Sequence, residues 1–237
     1  MRYSILAAAL AFGAGGCSSD PTPADDAENV LDAVAEPATV PADIGERAEL
    51  APLEPRNACR DIAGAEEFRT ALAAAVEARD ADALIALADP NVKLDFGGGA
   101  GSAELRRRLS ERNLWQELED LIALGCGSNE AGGITLPWYF TQATPSVDAM
   151  MGMLVTGADV PMLSAPEAGA ETVRSLSWDA VELLDGLATG AEYQHVRLPG
   201  GASGFVATDK LRSLVDYRLL ASEQNGKWRI TALIAGD

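Results

Sequence analysis

Three cysteines, one histidine and a few close groups of acids are the residues of this chain best suited to chemistry. Cys17 follows Gly13, Ala14, Gly15 and Gly16, Cys59 and Cys126 stand apart, and the one histidine lies in Gln194-His195-Val196. A thiolate nucleophile needs a base beside it, and one histidine leaves little room for zinc hydrolysis, so no metal site and no cofactor are expected. His195 falls in an alternating stretch, which predicts an exposed strand histidine rather than a catalytic base. Glu66-Glu67, Asp80-x-Asp82 and Glu117-x-Glu119-Asp120 bring acids close together, and a glycosidase needs only two across a cleft. Adjacent helix positions face different ways, and acids at a helix start suit its dipole. Solvated acids are therefore expected, and the chain is read as not an enzyme.

Gly97-Gly98-Gly99-Ala100-Gly101 separates a strand-like run from a helix-like one, where backbone N–H groups can cradle a phosphate. The spacing does not fit the known patterns. A dinucleotide fingerprint needs glycine where Ser102 stands, and a P-loop needs a Lys-Ser/Thr pair that is missing. What remains is a helix start followed by Arg106, Arg107, Arg108 and Arg112, with Ser102 and Arg106 as the candidate anion site. Three successive arginines point three ways around a helix, so solvation competes with that role.

The elements that must position these residues follow from periodicity. Phe68, Leu72 and Val76 recur at helical spacing, and Leu84, Leu87 and Ala88 extend the stripe past Asp80, a helix-capping residue, until Asp89-Pro90 ends it. Val92, Leu94 and Phe96 alternate with Lys93 and Asp95 as one strand. Ser102 is placed to cap a third helix bearing Leu105 and Leu109, and Leu114, Leu118, Leu121 and Ile122 mark a fourth that stops at Gly125. Residues 134–142 read as a further strand, which puts Trp138 and Phe140 together in a core. Residues 217–236 form a hairpin about Asn225-Gly226, with Trp228, Ile230, Ala232 and Ile234 on one face.

The chain has 237 residues, 48% of them apolar, which suffices for a buried core. Its 36 acids and 18 Lys and Arg leave a charge of -18, which repels phosphodiester backbones, so no nucleic-acid partner is expected. Residues 1–16 read as a signal peptide: Arg2 is positive, and residues 3–12 are apolar but too short to span a bilayer. The small residues before Cys17 resemble a bacterial lipobox, which implies cleavage before Cys17 and acylation of its sulfur and amino group. Ala14 departs from the branched residue usual there, and an ordinary secretory signal is the alternative. Ser18 rather than Asp follows, so the resemblance implies the periplasmic face of the outer membrane if the source is diderm.

Residues 17–52 form an acidic, Pro/Ala-rich tether. From residue 18 to 50, nine acids face Arg47 alone, with Pro21, Pro23, Pro37 and Pro41 and no aromatic residue. A coil of about 33 residues spans roughly 30 Å, enough to hold a folded domain clear of a membrane. With Cys17 taken by lipid, Cys59 and Cys126 are an even pair in an oxidising compartment. A bridge between them closes a loop of about 67 residues worth about 4 kcal/mol, two separate buried thiols being the alternative.

Residues 155–213 resemble a bacterial SH3-like domain through Val155-x-Gly157 with Val160, Ser164-Ala165-Pro166, Val181-Glu182-Leu183-Leu184, Tyr193-x-x-Val196-Arg197-Leu198 and Gly204-Phe205-Val206. Short alternating runs between Pro/Gly turns indicate a small β-barrel independently of the resemblance. The likeness implies a binding surface, for which Trp178, Tyr193 and Phe205 are the candidates. Leu163, Trp178 and Tyr193 depart from the family pattern. The helices, the strand, the glycine loop and the terminal hairpin resemble the cone-shaped nuclear-transport-factor-two-like fold. The expected fold class is therefore α+β: residues 53–150 plus 214–237 make a discontinuous cone-like domain completed by the hairpin, with residues 151–213 inserted as an SH3-like barrel. A helical domain followed by an elongated β domain is the alternative architecture. The expected function is a non-catalytic, lipid-anchored cell-envelope protein whose SH3-like module binds a peptidoglycan peptide or an envelope protein. Small-molecule binding, or hydrolysis, inside the cone is the alternative.

Replacing Cys17 by serine is expected to leave the chain soluble or its precursor uncleaved and to abolish labelling by a clickable palmitate. Equal labelling of variant and wild type removes the lipid anchor.

Overall fold

The structure, a computed structural model, describes residues 52–111, 113–142 and 147–236. The signal peptide, Cys17, the tether up to residue 51 and Arg112 lie outside the described residues. The described residues form a mixed α+β fold of four α-helices and two sheets.

Strand β1 (Arg56–Asn57) precedes α1 (Ala65–Glu77), whose Phe68, Leu72 and Val76 are buried and whose first turn carries Glu66 and Glu67, favourable at the positive end of the dipole. Asp80 caps α2 (Ala81–Ala86), its carboxylate accepting from the Asp82 and Ala83 N–H groups at 3.0 Å. β2 (Ala88–Lys93) leads through the glycine loop to α3 (Ser102–Glu111), followed by α4 (Leu114–Ala123), β3 (Gly125–Ser128) and β4 (Ile134–Leu136). Gly125 has φ +84°, and a Cβ there would lie 2.3 Å from the Arg56 carbonyl, so glycine lets α4 end and β3 approach β1.

The middle of the chain builds a second sheet from β5 (Gly152–Val155), β6 (Val160–Leu163), β7 (Thr172–Leu176), β8 (Ala180–Leu183), β9 (Tyr193–Arg197), β10 (Ser203–Ala207) and β11 (Leu211–Ser213), ordered β11-β5-β8-β9-β10-β6-β7. Val155, Met162, Leu176, Val181, Val196 and Val206 fill its own core. The chain then returns to the first sheet as β12 (Arg218–Gln224) and β13 (Lys227–Ile234), giving the order β1-β3-β4-β12-β13-β2. Asn225 and Gly226, at φ +53° and +77°, make the turn between them.

Three local expectations are corrected. The strand read through Val92, Leu94 and Phe96 begins at Ala88 and ends at Lys93; Val92 and Leu94 are buried, but Phe96 is 48% exposed because Asp95 turns back into the glycine loop. The strand expected over 134–142 ends at Leu136, since Pro137 has no N–H for the ladder, and a 3-10 turn, Trp138–Thr141, follows. Trp138 and Tyr139 are buried there, while Phe140 faces outward against the Arg218 guanidinium, 4.6 Å from its ring.

The third correction concerns the apolar face of the hairpin. Ala221 pairs with Ile230 and Leu220 with Ala232, so Thr231 is bulged out of register. One extra residue reverses side-chain direction: Trp228, Ile230 and Leu233 pack on the helices, whereas Ala232 and Ile234 face away with Arg218 and Leu220. The Thr231 hydroxyl donates to the Leu220 carbonyl at 3.2 Å and satisfies the bulge. Cys59 and Cys126 are joined by a disulfide, with Cα atoms 5.7 Å apart.

β12 and β13 lie between β4 and β2, so a chain truncated after Ser213 is expected to lose cooperative unfolding of its helical part. Hydrogen exchange should show α1 and α4 unprotected while Val181, Val196 and Val206 stay protected. Full protection of α1 in the truncated chain would contradict this.

Candidate functional site

The glycine loop holds an anion of its own. The Gly99 N–H donates to Asp95 Oδ1 at 2.7 Å, and a Cβ on Gly99 would collide with that carboxylate and with the Arg108 guanidinium. Arg108, buried on α3, donates to Glu104 Oε1 and to the Leu94 carbonyl, each at 2.6 Å, and pairs with Asp95. Arg107 and then Arg108 hold the Glu104 carboxyl down at about 2, and Arg108 and the Gly99 N–H lower that of Asp95. Ser102 is the first residue of α3 rather than its cap, and Arg106 turns to Asp82. Ser102 and Arg106 thus share a helix, but the loop between them and β2 is occupied by Asp95.

The second sheet presents Tyr193, His195 and Arg197 on one face of β9. His195 pairs with Phe205 across to β10, and their rings stack at 4.7 Å. His195 Nδ1 lies 2.9 Å from Asp185 Oδ2, and Arg197 donates to Glu182 at 2.9 Å. Tyr193 and Phe205 therefore share one strip, with His195, read from the sequence as a strand histidine, between them. Trp178 is elsewhere. It turns between β7 and β8 at φ +58°, accepts from the Leu53 N–H at 2.8 Å, and packs against Leu53, Trp138, Tyr139, Leu154 and Leu214 in the apolar seam joining the two sheets.

Beside that seam lies a charged cluster. Arg212, on edge strand β11, is 9% exposed; its guanidinium reaches Glu117 at 3.3 Å, Asp216 at 3.4 Å and Asp120 at 3.9 Å. Its Nε–H is buried without a hydrogen-bond partner. The Tyr139 hydroxyl donates to the Ser213 carbonyl at 3.4 Å, and burial pushes its phenol up. Burial and then the Asp216 charge also push the Glu117 carboxyl up, and Arg212 only partly opposes them. Glu117 and Asp120 were visible as close acids; their arginine stands 95 residues away, beyond any local signal. A groove of about 670 Å³ opens here, lined by Asp120 from α4, Leu124 just past its end, Met153 from β5, Leu187, Asp209, Leu211 and Asp216.

The other acid groups also have structural partners: Glu66 with Arg69, Asp82 with Arg106, and Glu119 with Arg79. Among the described residues no group of three or more His, Cys, Asp or Glu side chains is placed to hold a metal ion, and no helix is long and apolar enough to cross a membrane.

No family model matches this chain, and no curated protein matches it. A solved chain bearing the name Rd1NTF2_05 with five substitutions is similar at 14% identity, covering 73% of this chain and 96% of that one, with a TM-score of 0.30, too low to bear on fold or function.

A carboxyl raised on folding takes up protons, so its destabilising effect is relieved as pH falls and is full above the folded value. Glu117→Gln is therefore expected to gain stability relative to wild type as pH rises above the ordinary carboxylate range, then to level off. Denaturant unfolding of both chains between about pH 4 and 7 tests this. A wild type that gains on the variant with rising pH would instead make the Arg212 pair dominant.

Proposed function

We propose that this protein is a non-catalytic cell-envelope protein, lipid-anchored through Cys17 at the periplasmic face of an outer membrane. Its seven-stranded sheet is proposed as an inserted SH3-like module that binds a cell-wall peptide or an envelope protein. One observation carries this choice over a ligand inside the helical part: that interior is full. Leu72, Leu84, Leu105, Leu118, Leu121, Ile134 and Leu219 are at most 1% exposed and pack together. Among the described residues, the depressions beside them are a dimple of about 140 Å³ at Glu66, Arg69 and Ile122 and a shallow, open one of about 460 Å³ at Phe68, Leu87 and Trp228, both on the surface of the helical part rather than inside it. A larger groove, of about 670 Å³, runs along β11 at the edge of the second sheet.

The chemistry of the side chains supports a binding role. Cys59 and Cys126 are spent on each other, which removes both as nucleophiles and fits an oxidising compartment. His195 is stacked on Phe205 and faces Asp185. The Tyr193, His195 and Phe205 strip and the groove beside β11 are the two surfaces of the sheet suited to a partner. A crosslinked pull-down from envelope membranes, with purified peptidoglycan tested in parallel, is expected to give a discrete adduct or cosedimentation. A chain that does neither, at native abundance, defeats the binding-module role.

A further inference from the structure

We propose that the groove beside β11 receives a basic, extended segment of a partner protein, seating an ammonium or guanidinium against its carboxylates and the attached aliphatic stem on its apolar wall. This rests on the role of the second sheet as a binding module and names the chemistry of what it binds.

The electrostatics favour a cation. Asp120, Asp209 and Asp216 line the groove, and Glu117 stands just behind Arg212. Against these four carboxylates stand the Arg212 guanidinium, buried and engaged by three of them, and Lys210, which leans on Asp209 at 3.7 Å. The C-terminal end of α4 opens on the same space at Ala123 and Leu124, and its last turn carries no basic residue, so the negative end of its dipole meets no cation of its own helix. Among the described residues, both cations at the groove are thus already engaged by its carboxylates.

The apolar wall sets the rest of the ligand. Leu187 is 60% exposed, one of few large apolar side chains left in water, and shares the groove with Leu124, Met153 and Leu211. Lysine and arginine combine a charged head with an aliphatic stem, which matches carboxylates on one side and leucines on the other. A volume of about 670 Å³ holds a short stretch of chain, with the other residues of the partner left outside. The acidic tether and a second copy of this chain are repelled by the same carboxylates, and a charge of -18 steers basic partners toward the surface.

Calorimetric titration of the full chain with a capped five-residue lysine-leucine peptide, and with its glutamate-leucine counterpart, tests the proposal. The lysine peptide is expected to bind and the glutamate peptide not, with affinity falling as salt is raised. Asp209→Asn and Leu187→Ser, both at exposed positions, are each expected to weaken binding about threefold and together about tenfold, while Asp82→Asn, on α2 and paired with Arg106, leaves it unchanged. Equal binding of the two peptides, binding of neither, an unaffected double variant, or an equal loss in Asp82→Asn overturns the groove. The same double variant in envelope crosslinking separates the two claims. Unchanged adducts refute the groove and leave the module standing, whereas groove-dependent peptide binding without any adduct or cosedimentation refutes the module role alone.

Discussion

The hydrogen-bonded ladder that joins β12 to β4 on one side and β13 to β2 on the other is the constraint on which the rest of the molecule depends. The residues of the second sheet lie between β4 and β12 in sequence, so the first sheet closes only when the last strands of the chain return. Until then Leu72, Leu118 and Leu121 lack the surface formed by Leu219, Ile230 and Leu233, and each such side chain contributes about 2 kcal/mol once buried. The Trp228 indole N–H, donating to the Ala63 carbonyl at 3.0 Å, ties the tip of that hairpin to the start of α1. The Cys59–Cys126 bridge holds the other edge, where β1 meets β3.

Arg108 and Arg212 show how so acidic a chain uses its few cations. Arg108 collects Glu104, Asp95 and the Leu94 carbonyl, and the glycine loop wraps around the result. Arg212 collects Glu117, Asp120 and Asp216 from both sides of the apolar seam. Buried ion pairs are weak sources of net stability because desolvation offsets attraction, but removing one partner strands the others. Their effect here is positional. Arg108 sets how the loop after β2 turns, and Arg212 places an acid-lined groove where the two sheets meet.

Much of the local structure was legible in the sequence, because its causes act within a turn or two. The stripe of Phe68, Leu72 and Val76, the Asp80 cap, the Gly125 helix end and the Asn225-Gly226 turn all appear where spacing places them. Counting thiols left Cys59 and Cys126 as an even pair, bridged or separate, and geometry joins them.

What the sequence by itself determined was therefore the helices and turns set by neighbours within a few residues, together with the charge and the count of thiols. Tertiary structure decided the rest. The bulge at Thr231, which turns Ala232 and Ile234 away from the helices, shifts the pairing of β13 with both β12 and β2 and leaves no mark in the alternation. Phe96 and Phe140 read as core but stand outward, because Asp95 and Pro137 end their strands. Glu117 and Arg212 meet from positions 95 residues apart, and only the packing of α4 on the edge of β11 makes them neighbours. Periodicity reports which residues seek burial or water; which of them share a site depends on strand order, fixed by the closing of the sheets.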